Sequence, residues 1–592
     1  MSHKHIRQMK NFLKTLLAVI LGLIIVNLIG FGILASLASL GQNTAAVPST
    51  GILKIDMSKI TLAEQSGETL NFSKETRTTL GLLKALNAIE IAAEDPGVKC
   101  IYLKTDGLSI GTGTIGEFRH ALQAFRASGK PVVAYMENPT TGSYYLASAA
   151  DKVYMGSYQG GNPLFLGIAS RLIFLGDALD RIGVNVQLIR HGKYKSAGEM
   201  YIRSSASPEN LHQNQVMVDS MWDSFVQEMA RSRGLSAAEI NASIDNLDLC
   251  LPADFVSAGL VDELLDRYEL ENKLAVLAQV DSFDAVQFIP FAEYANTHSK
   301  NNFRSSEKIA VIYANGNIVD GYDVQNVDGD RFASIIETVR RDSTIKSVVL
   351  RVNSPGGSVV ASEKIRHELD RLSEVKPLIA SYGDYAASGG YWISNGADRI
   401  YSNATTLTGS IGVYGMVPDF SKLYKETLHV GVQSVSSNKH SDMYNQARPF
   451  TREEAAYMQR SIESIYTTFL GLVSEGRGLS VAQVDEIAQG RVWIGRDAIG
   501  IGLVDEIGGL KDALSYAAIC GGDDDLSDWN IVEYPRELTL METITEAISG
   551  TVNDYSVYSS WTNYYKTWLD RWQNGNHEMI FASLPYIPSI SM

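Results

Sequence analysis

Short apolar runs alternate with amphipathic stretches along most of the chain. Residues 347–352 are typical of a buried strand, and residues 378–380 begin another. Between them, Ile365, Leu369 and Leu372 recur at the spacing of one helical face. A strand, a helix and a strand in series predict βα units with a mainly parallel sheet, because parallel neighbours need a crossover connection. The predicted fold class is therefore α/β.

The same pattern occurs twice in the chain. Leu103 aligns with Leu350 and Tyr154 aligns with Tyr401, in both cases at an offset of 247 residues. Other blocks keep this offset or one slightly shorter, which indicates two copies of one unit. The polar stretch at residues 297–302 is the predicted linker between the copies.

The N-terminal end differs from the repeats. Residues 1–14 carry lysine and arginine but no acidic residue, and residues 15–40 carry no charge at all. A run of this length matches the about 20 apolar residues that cross a bilayer, whereas the core of a signal peptide has about 7 to 15. We therefore predict an uncleaved membrane anchor with everything after Gln42 on the outer side. A removed signal peptide is the alternative, because Ser36 and Ala38 suit a cleavage site.

The C-terminal tail carries aromatic residues on one face of a predicted helix, namely Tyr558, Trp561, Tyr565, Trp568 and Trp572. This face would pack against the protein or another subunit, or lie at a membrane interface. The chain thus divides into four parts: a basic flank and transmembrane anchor at 1–47, a first repeat at 48–300, a second repeat at 305–545, and the aromatic tail helix at 546–592.

Composition narrows the classes of function. The chain has 51 basic and 67 acidic residues, so its net charge of −16 argues against nucleic-acid binding. Hydrophobic residues make up 45% and charged residues 20%, which is typical of globular proteins. Cys100, Cys250 and Cys520 lie too far apart for a zinc module or a disulfide framework. We predict neither a metal site nor a cofactor.

Two glycine-rich segments of the second repeat are candidates for chemistry. Residues 351–358 end a predicted strand and open a helix, where free backbone N–H groups can face an anion. Residues 386–392 place Ser388 among small residues at a similar junction. Acyl transfer needs such an exposed nucleophile beside an oxyanion hole. Either motif alone is weak, because similar triplets occur in ordinary turns.

The differences between the repeats sharpen this interpretation. Thr141 occupies the position of Ser388 in the first repeat, so only the second repeat offers the nucleophile. The base is then expected where the first repeat keeps what the second lacks, and Lys195 aligns with Asp442. His440, close to Asp442, leaves a Ser-His-Asp mechanism as the alternative.

Four segments together carry a family resemblance: 351–358 (RVNSPGGS), 386–394 (AASGGYWIS), 408–415 (TGSIGVYG) and 194–197 (YKSA). With the anchor and the repeat, they resemble signal peptide peptidase A of the long, tandem-domain protease IV type. The resemblance implies two ClpP/crotonase-like repeats, a homotetramer, and a serine protease that hydrolyses signal peptides at the outer side of the bacterial cytoplasmic membrane. It also implies site roles: Ser388 as nucleophile, Lys195 as general base, Ser410 as the hydroxyl that orients Lys195, and Gly356, Gly357 and Gly389 in the oxyanion region.

The proposed base imposes physical requirements. A lysine at its usual pKa of about 10.4 is charged and cannot accept a proton, so Lys195 must be desolvated. The Ser410 hydroxyl could then hold the neutral amine, as a carboxylate orients histidine in a triad. A carboxylate beside Lys195 would raise its pKa, so Glu199 must point elsewhere.

Two other classes of function stay open. A crotonase-like acyl-CoA enzyme would use glycine-rich turns to stabilise an enolate, but an outward-facing anchor argues against a cytosolic CoA substrate. A non-catalytic tetrameric membrane scaffold would keep the fold without activity, and the intact Ser388, Lys195 and glycines argue against it.

Overall fold

In a computed structural model of the chain, the described residues are 22, 47–65, 77–161, 163–321, 323, 326–536, 580–583 and 590–591. The predicted anchor at 15–40, apart from Gly22, and the aromatic stripe at 558–572 lie outside them. Among the described residues, no helix combines the length and apolar character needed to cross a membrane.

The described strands are β1 Gly51–Asp56, β2 Ile60–Ala63, β3 Thr78–Gly81, β4 Val98–Lys104, β5 Val132–Met136, β6 Lys152–Gly156, β7 Ala169–Ser170, β8 Asn185–His191, β9 Glu263–Leu265, β10 Phe288–Pro290, β11 Lys308–Asn315, β12 Ile318–Val319, β13 Val327–Asp328, β14 Ile345–Ser354, β15 Gly356–Ser358, β16 Leu378–Ala387, β17 Arg399–Ser402, β18 Leu407–Gly409, β19 Val413–Asp419, β20 Val492–Ile494, β21 Glu506–Ile507, β22 Asn530–Tyr534, β23 Ile580–Ser583 and β24 Ile590–Ser591.

The described α-helices are α1 Leu82–Glu94, α2 Thr112–Ala127, α3 Thr141–Ala147, α4 Gly176–Arg181, α5 Glu199–Ile202, α6 Pro208–Arg233, α7 Ala237–Asp245, α8 Pro252–Ser257, α9 Arg267–Ala278, α10 Phe291–Thr297, α11 Gly329–Arg341, α12 Val359–Ser373, α13 Gly389–Trp392, α14 Arg452–Arg477, α15 Val481–Ile487, α16 Gly495–Gly500 and α17 Leu510–Gly521.

Each repeat is built on a parallel sheet with the same strand order. The first sheet runs β10-β1-β4-β5-β6-β9. The second runs β22-β11-β14-β16-β17-β21 in the matching positions, and β18 and β20 extend it beside β16. Helices follow the strands in the order that βα units require. The predicted mixed α/β class is confirmed, and the repeat boundaries stay a prediction.

The segment from β14 to β16 shows how the pattern produces this structure. Strand β14 is almost wholly buried, as expected for a strand covered on both faces. Helix α12 begins at a Ser358 cap, whose hydroxyl accepts the Ala361 N–H, and it buries Ile365, Leu369 and Leu372. The helical stripe predicted from the sequence is therefore confirmed.

A third sheet joins the two repeats. Its order is β13-β12-β15-β23-β19-β8, so it combines β8 of the first repeat with strands of the second. It also includes β23, a strand within the range 546–592 where the sequence predicts a tail helix, so that prediction is wrong for residues 580–583. Strand β8 pairs antiparallel with β19 along its whole length, from Asn185 opposite Asp419 to His191 opposite Val413. Because Lys195 follows closely after β8, this pairing carries it to the second repeat.

A buried ion network also crosses between the repeats. The Arg351 guanidinium, fully buried on β14, contacts Glu64 and Glu117 of the first repeat, each at 2.7 Å. Asn403 donates a further hydrogen bond to Glu117 at 2.8 Å. The guanidinium and the carboxylates need each other as partners, because an unpaired charge in the protein interior is costly.

Candidate active site

Ser388 lies at the junction between β16 and α13. Its backbone has φ 54° and ψ −111°, which is a sparsely populated conformation for a residue other than glycine. Two hydrogen bonds hold the turn: the Ser388 N–H donates to the Gly409 carbonyl at 2.8 Å, and the Trp392 N–H donates to the Ser388 carbonyl at 2.7 Å. Strain of this kind is typical of nucleophiles at strand-to-helix turns.

The Lys195 side chain is fully buried and ends at Ser388. Its Nζ lies 2.9 Å from Ser388 Oγ, 3.0 Å from Ser410 Oγ and 3.0 Å from the Ser410 carbonyl oxygen. A neutral amine has two N–H donors and one lone pair. Both N–H groups can therefore donate to Ser410 while the lone pair accepts the Ser388 hydroxyl proton. Each hydrogen-bonding position of a neutral Lys195 amine therefore has a partner.

Burial lowers the pKa of Lys195 well below its ordinary value. Glu199 points elsewhere, as the mechanism requires. Its buried carboxylate accepts hydrogen bonds from the Ser207 backbone and hydroxyl, at 3.1 and 2.8 Å, and from Asn210 at 3.1 Å. Arg190 pairs with the same carboxylate at 3.2 Å and donates to the Lys195 carbonyl oxygen at 2.7 Å. Arg190 and Glu199 thus hold the backbone of Lys195 in place and do not stabilise a positive charge on its amine.

The segment 489–491 supports both halves of the site, and sequence reasoning missed it. The Gln489 carbonyl accepts the Tyr194 N–H at 2.9 Å, and the Arg491 carbonyl accepts the Ser410 N–H at 2.7 Å. Gly490, at φ +76°, leaves no room for a side chain, because a Cβ there would lie 2.6 Å from the Cβ of Lys195. Its residue type is set by a contact that exists only after folding, so no local pattern signals it.

The predicted oxyanion glycines occupy two positions. Gly356 and Gly389 touch: a Cβ on Gly356 would lie 2.5 Å from the Gly389 nitrogen. Gly356 also has φ +95°, which favours glycine. Gly357 instead pairs with Ile318 in the third sheet, where a Cβ would lie 2.0 Å from the Ile318 carbonyl oxygen. Their role as oxyanion donors stays a prediction.

The alternative base has other partners. His440 Nδ1 lies 2.9 Å from Glu454, and Asp442 pairs with Arg448 at 2.8 Å, so the two do not form the His-Asp pair of a triad.

Thr141, which occupies the position of Ser388 in the first repeat, has a different partner: its hydroxyl donates to the Gly167 carbonyl at 2.8 Å. Within the described ranges, histidine, cysteine, aspartate and glutamate form no group that could hold a metal ion.

Comparison with known proteins identifies the family. The model described as "Peptidase family S49" matches residues 124–281 and 370–520, which is more than half of the chain and includes Lys195, Ser388 and Ser410. The chain belongs to peptidase family S49. The two matched regions fall in the two repeats, in agreement with the duplicated sheets.

Several relatives are similar to this chain over most of its length. Protease 4 of Haemophilus influenzae is 34% identical over 503 residues, which is 81% of each chain. Protease 4 of Salmonella typhi is 35% identical over 80% of this chain and 76% of its own. The chloroplastic serine protease SPPA of Arabidopsis thaliana is 30% identical over 78% and 69%. These similarities confirm the predicted protease IV type of signal peptide peptidase A and establish that this S49 protein is a serine protease.

Among solved structures, a ClpP1 mutant from Listeria monocytogenes covers 34% of this S49 chain and 93% of its own at 14% identity. Its TM-score of 0.23 is too low to support an argument about the fold.

Proposed function

We propose that this S49 protease is a membrane-anchored endopeptidase that degrades cleaved signal peptides in or at the membrane. Ser388 is the nucleophile, Lys195 is the general base, and Ser410 orients the lysine. The observation that carries the proposal is the 2.9 Å approach of the buried Lys195 amine to Ser388 Oγ. Burial favours the neutral amine, which is the form that can accept a proton.

The dyad would act through an acyl-enzyme. Lys195 accepts the Ser388 proton as Oγ attacks the substrate carbonyl, and the protonated amine then gives that proton to the leaving nitrogen. A water molecule, deprotonated by the same lysine, hydrolyses the ester and regenerates Ser388. Backbone N–H groups at Gly356, Gly357 and Gly389 would stabilise the negative charge on the carbonyl oxygen.

Features of the sequence support the membrane location. The charge-free segment 15–40 follows a basic flank, which favours a single span with the protease on the outer side of the bacterial cytoplasmic membrane. A span would also keep the protease close to hydrophobic peptides that remain in the bilayer. Protease accessibility of the repeats in intact and permeabilised cells tests this topology.

We also propose that the protein is a homotetramer, as the family resemblance implies. Apolar side chains along an extended segment of the second repeat are exposed and would suit a subunit contact, namely Leu428, Val430, Val432 and Val435. Native mass spectrometry of the detergent-solubilised full chain would report four copies, and a monomer would contradict the proposal.

The function is tested with the purified full chain in detergent and a synthetic hydrophobic signal peptide. We expect wild-type protein to hydrolyse the peptide and Ser388→Ala to lose turnover while keeping its thermal midpoint. A wild-type protein that binds the peptide without cleaving it would instead favour the scaffold. Hydrolysis of an acyl-CoA thioester with no peptide hydrolysis would favour the crotonase-like alternative.

A further inference from the structure

The turn at residues 488–491 packs against the lysine segment and is itself in a strained conformation. Gln489 has φ 54°, which lies in the left-handed region and is uncommon for a residue other than glycine. Its carbonyl accepts the Tyr194 N–H at 2.9 Å, one residue before Lys195. A Cβ on Gly192 would lie 2.4 Å from the same carbonyl oxygen, so the first repeat approaches this turn closely. A strained turn keeps its conformation only when its surroundings hold it.

The Tyr466 hydroxyl on helix α14 is the group that holds the turn. It accepts the Gln489 backbone N–H and the Gln489 side-chain amide, both at 3.3 Å, and it donates to Asp485 at 2.5 Å. The Asp485 carboxylate on helix α15 also accepts the Gln489 side-chain amide, at 2.6 Å. A hydroxyl has one proton and two lone pairs, so all three hydrogen-bonding positions of the Tyr466 hydroxyl are used. Its bond to the carboxylate is charge-assisted, which makes it one of the stronger kinds in proteins.

Tyr466 also contacts the first repeat. Its ring stacks on His191, the last residue of β8, with the ring centroids 4.0 Å apart and the planes at 22°. The side chain is almost completely buried, and burial together with the Asp485 carboxylate raises the pKa of Tyr466, so the hydroxyl keeps its proton at neutral pH. Tyr466 therefore contacts both the strand that leads to Lys195 and the turn against which the lysine segment packs.

The matching position of the first repeat separates this role from ordinary helix packing. Trp222 and Asn241, on helices α6 and α7, precede Tyr466 and Asp485 by 244 residues each. The Trp222 indole N–H donates to Asn241 at 2.8 Å, so both repeats join this helix pair by a side-chain hydrogen bond. An indole N–H cannot accept a hydrogen bond, whereas a tyrosine hydroxyl can. The acceptor that holds a turn is therefore a property of the second repeat, where the turn supports the lysine.

We propose that Tyr466 and Asp485 are positioning residues of this protease. They fix the Gln489 turn, and the turn fixes the backbone of Lys195, so that the amine stays out of water and within reach of Ser388. Each residue acts through the turn and not on the reacting atoms. The inference rests on the proposed function, because it takes Lys195 as the base. Loosening the turn should let the lysine leave the serine and let water reach the amine.

Tyr466→Phe in the purified full chain is the first test, because it removes only the hydroxyl and keeps the ring on His191. We expect kcat for the synthetic signal peptide to fall about 10-fold with KM little changed. We also expect the rising limb of the pH–rate profile to move to higher pH, since a hydrated lysine holds its proton more strongly. Tyr144→Phe is the matched control. Its buried hydroxyl in the first repeat donates to the Leu260 carbonyl at 2.7 Å, and its loss should leave both kcat and the limb unchanged.

Two variants of Asp485 give a second test, which decides the matter if Tyr466→Phe does not fold. The hydrogen bonds from Tyr466 and Gln489 both end on Oδ1, and asparagine keeps this oxygen. Asp485→Asn should therefore keep kcat within about threefold of wild type, whereas Asp485→Ala should lose about 10-fold. A kcat for Asp485→Asn no higher than that for Asp485→Ala would overturn the inference.

The wild-type protein separates failure of the inference from failure of the proposed function. Wild-type activity that folded Tyr466→Phe matches in kcat and pH profile would overturn the positioning role and leave the proposed function standing. A fall in kcat without a shift of the limb, or one shared by Tyr144→Phe, would also overturn it, since a general loss of stability would then be the cause. Wild-type protein that does not hydrolyse the peptide would overturn both, because there would be no base to position.

Discussion

Lys195 Nζ and Ser388 Oγ meet at 2.9 Å although the two residues are 193 positions apart and belong to different repeats. Neither repeat carries both groups. The pairing of β8 with β19 brings them together, and Gly490 leaves the room that the lysine backbone needs. This active site therefore depends on the contacts that hold the two repeats together as much as on its reactive groups.

Lys195→Met should abolish turnover without unfolding the protein. Methionine keeps most of the side-chain volume but cannot accept the Ser388 proton, so we expect kcat to fall by about 10³-fold or more. Peptide hydrolysis and the thermal midpoint are the measurements. Lys193→Met, at an exposed position two residues away, is the matched control and should keep full activity. A kcat within tenfold of wild type for Lys195→Met would move the base elsewhere.

Ser410→Ala should slow catalysis less than loss of the lysine does. The substitution removes the hydroxyl that accepts a hydrogen bond from Lys195, while the Ser410 carbonyl still accepts the other. We expect kcat to fall by about 10- to 100-fold with KM little changed, since the lysine is less well oriented. Ser437→Ala on an exposed loop is the control. An unchanged kcat would leave Ser410 with only a structural role.

The activity should rise with pH through the lowered pKa of Lys195. The neutral amine is the base, so kcat/KM increases as the lysine loses its proton, at a pH well below the ordinary value of 10.5. A pH–rate profile of the wild-type protein measures this limb. A limb that appears only near the ordinary value would show that the amine is charged in the folded protein.

Folding stability should respond to pH in the same direction. Between the lowered pKa of Lys195 and the ordinary one, the unfolded lysine is protonated and the folded lysine is neutral, so unfolding takes up a proton. The free energy of unfolding therefore gains about 1.4 kcal/mol per pH unit from this group in that window. Urea unfolding at several pH values should show this slope in wild-type protein and its loss in Lys195→Met. Equal slopes in both proteins would contradict the prediction.

Arg351→Met should destabilise the contact between the repeats. Burial already raises the pKa of Glu64 in spite of the arginine beside it. Without Arg351, Glu64 and Glu117 would be buried with no cation, at a cost of about 3 to 5 kcal/mol. Arg371→Met removes an exposed arginine and should change stability by less than about 0.5 kcal/mol. Urea unfolding distinguishes them, and equal midpoints would contradict the role of the network.

The local pattern of the sequence was enough to predict the α/β class, the two copies of one unit and the helix that buries Ile365, Leu369 and Leu372. It also pointed to Ser388 and Lys195, because the repeat shows what each copy keeps. These features depend on the periodicity of neighbouring residues, which the chain encodes directly.

Only the tertiary structure decided which groups meet. The two hydrogen bonds from Lys195 to Ser410, the support from Gln489 and Arg491, and the Arg351 network join residues that are far apart in sequence. The position of the tail strand at Ala582 is likewise set by contacts between residues that are far apart in sequence. Such contacts are set by strand register and by the burial of charge between the repeats, and no periodicity along the chain records either.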